Sequence, residues 1–109
     1  MLAWSLVKTA RLPINIDSGE IAQFCRERGI RKLALFGSVL RGDFNPALSD
    51  VDVFAEFEPG ALRGVGLQYF DYGHELGKIF GYRVDFCSQL HPEIRKRVEN
   101  DSLTIYEQT

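Results

Sequence analysis

The chain has 109 residues, of which 45% are hydrophobic and 26% are charged, so it has room for one compact core and is not expected to be disordered. Its net charge of −2 argues against a broad basic surface, so direct nucleic-acid binding is not expected. No apolar run approaches the ~18 residues that cross a membrane, and the first residues lack the pattern of a secretory signal. We therefore expect a cytoplasmic protein without membrane contact. One domain is expected over residues 1–109, in which residues 1–13 could form an N-terminal extension.

The first part of the chain predicts a helix followed by a strand. Asp17 and Glu20 have the spacing of a capping box, and apolar residues then recur at helical intervals until Gly29. This pattern predicts a helix over residues 18–28. The short apolar run over residues 32–36 predicts a buried strand.

The middle of the chain predicts a loop, a second strand and a second helix. Residues 41–49 are rich in Gly, Asn, Pro and Ser, which is typical of a loop, and strand character returns over residues 51–57. Apolar positions over residues 67–80 suit an amphipathic helix that ends at Gly81. A third short strand is predicted over residues 82–86.

The last part of the chain predicts a helix and a final strand. Pro92 is placed where proline is tolerated, in the first turn of a helix, and residues 103–106 could form a short strand. The order of elements describes a small α+β or α/β layer in which helices cover a sheet.

The first candidate for chemistry is the turn Gly37-Ser38. Because glycine has no Cβ, the chain can turn tightly there, and backbone N–H groups and the Ser38 hydroxyl can approach phosphate oxygens. A Gly-Ser pair by itself is a weak signal and is usually only a turn.

Asp50 and Asp52 form the second candidate. On a strand, residues two apart leave the same face, about 6 to 7 Å from each other. Two such carboxylates repel unless a cation lies between them, and Mg²⁺ prefers carboxylate and phosphate oxygens. An Asp-x-Asp at a strand end is often only a solvated turn. Here Val51, Val53 and Phe54 mark a buried strand, where unpaired charges are costly, which favours a functional site.

Asp85 repeats this pattern, because it lies between Val84 and Phe86 in an otherwise apolar strand. A third carboxylate beside the first two could deprotonate an attacking hydroxyl. By itself, Asp85 could equally pair with Arg83 or cap a helix.

Four segments, LFGSVLRGDF, SDVDVFAEFEPG, GYRVDF and HPEIRKRVENDSLTIYE, carry a resemblance to a known family. Over residues 33–107 the chain resembles the minimal nucleotidyltransferases of the DNA polymerase beta-like superfamily, in the branch found as antitoxins of HEPN toxins. The resemblance implies an α+β small nucleotidyltransferase fold, with a mixed sheet of about three to four strands covered by helices.

The resemblance also implies roles for individual residues. Gly37 and Ser38 match the turn that holds the triphosphate, while Asp50, Asp52 and Asp85 match the catalytic, metal-binding carboxylates, the last of them resembling the activator of the acceptor hydroxyl.

Arg41 matches the arginine after the turn and would either orient phosphate or brace the loop. One feature departs from the family. Eleven residues separate Ser38 from Asp50, where the family usually shows ten with an acidic residue just ahead of Ser-Asp. This difference lengthens the loop and leaves open how it affects nucleotide positioning.

The implied reaction is transfer of AMP from ATP, with two Mg²⁺ ions, to a hydroxyl, expected to be a tyrosine of a cognate HEPN ribonuclease toxin. Two alternatives stay open: an antitoxin without catalysis that neutralises the toxin by binding it, and a nucleotidyltransferase that modifies a small molecule. Homo- and hetero-oligomers are both compatible with the sequence.

Other reactive side chains receive ordinary interpretations. Cys25 and Cys87 lack metal-pair spacing and are expected to be small buried thiols. His74 and His91 are expected at the surface or in packing, and the basic run over residues 95–97 as a solvated helix face.

Overall fold

The computed structural model describes residues 12, 14, 16–41, 44–45, 47–89 and 91–108. The proposed N-terminal extension over residues 1–13 lies outside the described residues, apart from Leu12. The regular elements, in chain order, are α1 (Ser18–Arg28), β1 (Ile30–Phe36), α2 (Ser38–Arg41), β2 (Val51–Phe57), a 3₁₀ helix (Gly66–Asp71), α3 (Tyr72–Phe80), β3 (Val84–Cys87), α4 (Pro92–Asn100) and β4 (Ser102–Glu107).

The four strands form one mixed sheet in the order β3-β2-β1-β4. Strand β1 is antiparallel to both β2 and β4, and β2 is parallel to β3. Helix α1 packs on β1 and β4, and α3 packs on β3 and α1. This mixed sheet with helices is the α+β architecture expected from the sequence.

Local sequence explains the bounds of α1, which are those predicted. The Asp17 carboxylate accepts a hydrogen bond of 3.1 Å from the N–H of Glu20, which satisfies one of the unpaired donors of the first turn. At the other end Gly29 is left-handed and its N–H bonds the carbonyl of Cys25.

Alternate residues of β2 divide the sheet into two faces. Val51, Val53 and Ala55 are buried against the helices, while Asp52 and Phe54 between them face the other way. The largest fully buried side chains of the core are Phe80, Ile21, Ile30, Leu33, Leu35, Leu76, Val51, Val53 and Cys25. The core therefore fixes the direction in which Asp52 leaves the sheet.

The helix predicted over residues 67–80 is α-helical only from Tyr72. The segment before it is a 3₁₀ helix in which Leu67 and Phe70 are 82% and 75% exposed, so these two residues do not extend the apolar face of α3. The prediction was wrong for residues 67–71, because it assumed that Leu67 and Phe70 belong to the buried face of an α-helix.

Strand β3 begins at Val84 rather than at the predicted residue 82. The N–H groups of Gly81 and Tyr82 bond the carbonyl of Gly77, at 2.8 and 3.2 Å, to close the C-terminus of α3. The N–H of Tyr82 is therefore used by the helix end. The final strand has one more residue at each end than the predicted range. Within the described residues, no helix is long and apolar enough to cross a membrane.

Candidate active site

Asp52 and Asp85 lie side by side on neighbouring strands. They are register partners in the parallel pair of β2 and β3. Paired positions share a face of the sheet, and neighbouring strands are about 4.8 Å apart, so the two carboxylates leave the same surface close together. Asp52 is half-buried and Asp85 is exposed. The structure thus brings together two of the three carboxylates that the sequence predicts as site residues.

The turn after β1 lies against the Asp52 carboxylate. Phe36, the last residue of β1, is the register partner of Asp52, and the buried Gly37 follows it with a φ of 80°. A Cβ placed on Gly37 would lie 3.1 Å from Cγ of Asp52 and closer still to Oδ2. Glycine alone combines this backbone angle with this close approach. Because Gly37 has no side chain, the turn can pack directly against the carboxylate of Asp52.

Ser38 and Arg41 are the two ends of the four-residue helix α2. The N–H of Leu40 bonds the carbonyl of Gly37 at 3.1 Å, so α2 continues directly from the turn. Arg41 is exposed, and its positive charge acts to lower the pKa of Asp52. Both roles considered for Arg41, phosphate contact and bracing of the loop, are compatible with this position.

Asp50 is engaged by an arginine. Its Oδ1 lies 3.0 Å from Nε of Arg83, with the side chains 49% and 64% exposed. The N–H of Val51 also bonds the carbonyl of Arg83 at 2.8 Å. The sequence analysis gave Arg83 as a possible partner of Asp85. In the structure, Arg83 forms an ion pair with Asp50 instead.

The Asp52 carboxyl has a pKa above its ordinary value of 3.8. Burial is the largest cause, followed by repulsion from Asp85, while Asp50 adds a smaller repulsion. Arg97 and Arg41 act in the opposite direction without cancelling the rise. The site therefore carries negative charge that its own cations leave partly uncompensated.

This raised pKa predicts a pH-dependent effect of Asp52→Asn on stability. A carboxyl whose pKa is raised on folding favours the folded state below its ordinary pKa, and that contribution is lost as pH rises through the raised value. Asp52→Asn should therefore raise the free energy of unfolding at pH 7 by about 1 kcal/mol, the size of a close charge repulsion in water. The gain should shrink as pH falls towards 3.8. Urea unfolding at several pH values measures it.

Asp71→Asn is the matched control for this comparison, because Asp71 is exposed and directly precedes α3 without a side-chain capping bond. Its effect on the free energy of unfolding should be small. A loss of stability in Asp52→Asn at pH 7 would contradict the repulsion argument.

The donor chemistry at this site suits a hard divalent cation. Asp52 and Asp85 offer carboxylate oxygens on one surface, and a cation between them would offset the repulsion that raises the pKa of Asp52. In the part of the chain that the structure describes, no three carboxylate, imidazole or thiol groups already form a metal cluster. Asp50 would have to move closer to complete a set of three, and its Oδ1 is paired with Arg83.

Arg97 on α4 acts on the charge of the site, an influence that sequence reasoning missed. It was taken as part of a solvated basic helix face, yet its charge is the largest influence that lowers the pKa of Asp52. No local pattern distinguishes Arg97 from Arg95 and Lys96, which are also exposed on α4. Only the placement of α4 relative to β2 reveals it.

An open groove of about 790 Å³ lies beside Asp50, between α3 and the start of β3. It is lined by Ala47, Asp50, Gly73, His74, Gly77, Lys78, Gly81, Tyr82, Arg83 and Val84. Asp52, Asp85 and the Gly37 turn are not part of this lining. The groove therefore meets the carboxylate site only at Asp50.

Both cysteines are free thiols, but only Cys25 is buried as expected. Burial raises the pKa of Cys25 to about 12, so it stays a neutral thiol in the core. Cys87 is half-buried two residues after Asp85, and burial, Asp85 and Asp52 together raise its pKa. His74 and His91 are exposed.

The sequence matches the family of nucleotidyltransferase domains over residues 19–105, a span that contains every candidate residue described above. A solved structure provisionally described as a minimal nucleotidyltransferase is 30% identical, and the alignment covers 79% of this chain and 86% of that chain, with a TM-score of 0.62. No curated protein matches the sequence.

Structures of toxin–antitoxin complexes share the fold at lower identity. A chain of a toxin–antitoxin crystal structure with AMP-PNP has a TM-score of 0.65 and 14% identity, covering 86% of this chain and 76% of that chain. A second match is a complex of a tri-AMPylated Shewanella oneidensis HEPN toxin with an MNT antitoxin. It has a TM-score of 0.55 and 14% identity, covering 84% of this chain and 70% of that chain.

Proposed function

The chain belongs to the nucleotidyltransferase domain family, and from that premise we propose that it is an antitoxin that transfers AMP from ATP to a hydroxyl of a partner HEPN toxin. The observation that carries this proposal is that Asp52 adjoins the Gly37 turn and is the register partner of Asp85. Two neighbouring carboxylates repel each other, which costs stability in the absence of a cation and is expected at a site that binds one.

The proposed reaction forms one bond and breaks one. The acceptor oxygen, in our proposal that of a tyrosine, bonds the α-phosphorus of ATP while the bond from that phosphorus to the oxygen linking the α- and β-phosphates breaks, and pyrophosphate leaves. Asp85 is exposed on the open surface of the sheet, where its carboxylate can accept the proton of the hydroxyl. Ser38 and the backbone after Gly37 would contact the triphosphate, with Arg41 as a further phosphate contact.

Asp50, Asp52 and Asp85 would hold the divalent cations, for which we propose two Mg²⁺ ions. Bound Mg²⁺ would supply positive charge to the phosphate oxygens during transfer. Without that charge, the carboxylates would repel ATP rather than bind it. Triphosphate binding is therefore expected to depend on the cation.

Two observations support a protein acceptor. The structures that share the fold include an MNT antitoxin in complex with an AMPylated HEPN toxin, which at 14% identity suggests a partner of this kind for the present chain. In addition, Leu67 and Phe70 are three residues apart on the 3₁₀ helix, so they share a face, and both are largely exposed. We place this activity in the cytoplasm.

The test is to incubate the full chain with ATP, Mg²⁺ and a purified candidate HEPN toxin, and to measure the intact mass of the toxin. We expect a mass increase of one or more adenylate groups, located on tyrosine by fragmentation, together with loss of toxin ribonuclease activity. The increase should require both ATP and Mg²⁺.

A second outcome would support a different function. If the toxin is neutralised in a stable complex with no change in mass, the protein acts by covering its partner, and the enzymatic proposal is wrong. Transfer of AMP to a small hydroxylated molecule, but not to the toxin, would instead identify a small-molecule nucleotidyltransferase.

A further inference from the structure

Arg83 connects the starts of two strands that carry the candidate carboxylates. Its guanidinium forms an ion pair with Asp50, one residue before β2, and its carbonyl accepts the N–H of Val51, the first residue of β2. Arg83 itself directly precedes Val84, the first residue of β3. The side chain is therefore held by its backbone beside the carboxylate that it contacts.

The ion pair between Arg83 and Asp50 sets Asp50 apart from the other two carboxylates. Asp52 and Asp85 are register partners, whereas Asp50 is held by Arg83 and lines the groove beside α3 with it. Within the described residues the three do not form a ready cluster of metal-binding groups. The three carboxylates must therefore move closer before they can act on one cation, and the contact of Asp50 Oδ1 with Arg83 opposes that movement.

We propose that Arg83 is a positioning residue that occupies Asp50 as a counter-cation in the metal-free protein and yields it when a divalent cation binds. This inference rests on the proposed function, because it assumes that Asp50 belongs to the metal-binding set. Arg83 would then be a functional residue outside the Gly-Ser turn and the three aspartates. When the cation binds, it would replace the guanidinium of Arg83 as the positive group beside Asp50.

The exposure of the pair makes this exchange feasible. Both side chains are about half or more exposed, and ion pairs of this kind are weak in water because solvent screens them. A divalent cation carries twice the charge of the guanidinium and also relieves the repulsion between Asp52 and Asp85. Arg83 would therefore lower cation affinity without preventing binding.

The test measures Mn²⁺ binding to the nucleotide-free protein by electron paramagnetic resonance or calorimetry. Arg83→Gln should bind Mn²⁺ about three- to tenfold more tightly than wild type, since a competing cation has been removed. Arg83→Lys keeps the charge and should stay within about twofold of wild type. Arg63→Gln removes one positive charge from an exposed loop position and should change the affinity by less than about twofold.

A double-mutant cycle shows whether the effect passes through Asp50. In the Asp50→Asn background, Arg83→Gln should no longer tighten Mn²⁺ binding, because the carboxylate that Arg83 occupies is gone. Equal affinity of wild type and Arg83→Gln, or the same tightening in both backgrounds, would overturn the inference.

The result also separates this inference from the proposed function. If wild type binds Mn²⁺ and Asp52→Asn weakens that binding, the metal site stands and only the role of Arg83 is decided by its variants. If wild type does not bind Mn²⁺ at all, both the proposed metal site and the role of Arg83 are wrong.

Discussion

Replacing Asp52 with Asn should reduce AMP transfer by about 10³-fold or more while the protein remains folded. Asp52 lies between the Gly37 turn and Asp85, so its carboxylate adjoins both the proposed phosphate-binding turn and the proposed base. The substitution removes a charged cation ligand but keeps the size of the side chain. Single-turnover transfer of labelled AMP to the toxin measures the loss.

The same variant separates catalysis from protection by binding. Asp52→Asn should still form a complex with the toxin, because the substitution leaves the exposed Leu67 and Phe70 unchanged. Co-expression with the toxin should therefore show reduced protection without loss of association. Full protection by Asp52→Asn, with no mass change on the toxin even with wild type, would rule out the enzymatic function. Asp71→Asn serves again as the matched control and should transfer AMP normally.

Gly37→Ala should lower both stability and transfer. The residue has a φ of 80°, which strains any side chain, and the new Cβ would overlap the Asp52 carboxylate. Backbone strain of this kind costs about 1–3 kcal/mol, and displacement of Asp52 adds to it, so a total loss of about 2–4 kcal/mol is expected. Transfer should fall by about 10²-fold or more, because small displacements at a reacting centre are costly.

Gly60→Ala is the matched control for the strain that a side chain causes at a positive φ angle. Gly60 also has a φ of 80°, but a Cβ there would meet no atom within 4 Å. Chemical denaturation of both variants should show Gly37→Ala to be the less stable, and only Gly37→Ala should lose transfer. Equal losses of stability, with transfer intact in both, would mean that the turn tolerates a side chain beside Asp52.

The two predictions together test whether the turn and the carboxylate act as one unit. The contact between Gly37 and Asp52 implies that the double variant should lose little more transfer than the worse single variant, since each removes the same arrangement. Additive losses would instead indicate that the turn and the carboxylate contribute separately.

The sequence alone determined the elements whose causes are local. The capping pair Asp17 and Glu20 and the left-handed Gly29 fix α1 within a few residues of chain, so its bounds were predictable. The spacing from the Gly37 turn to Asp52 is likewise a property of one short segment, and the family match contains it. The strand over residues 51–57 was also predicted at its observed bounds.

Local pattern failed where a neighbouring element decided the outcome. Apolar spacing predicted one helix over residues 67–80, but Leu67 and Phe70 are exposed and their segment is 3₁₀. Strand β3 starts later than predicted because the end of α3 uses the N–H of Tyr82. Apolar periodicity indicates which residues could be buried. It does not indicate which of them pack against another element of the fold.

Only the tertiary structure decided how the charges of the site are paired. The parallel register of β2 and β3 sets Asp52 beside Asp85 and leaves Arg83 next to Asp50, although sequence reasoning had considered Arg83 for Asp85. Arg97 acts on Asp52 from α4, which no neighbouring residue in the sequence could indicate. Charge interactions depend on distance in space, and strand register sets those distances between residues that are far apart in the chain.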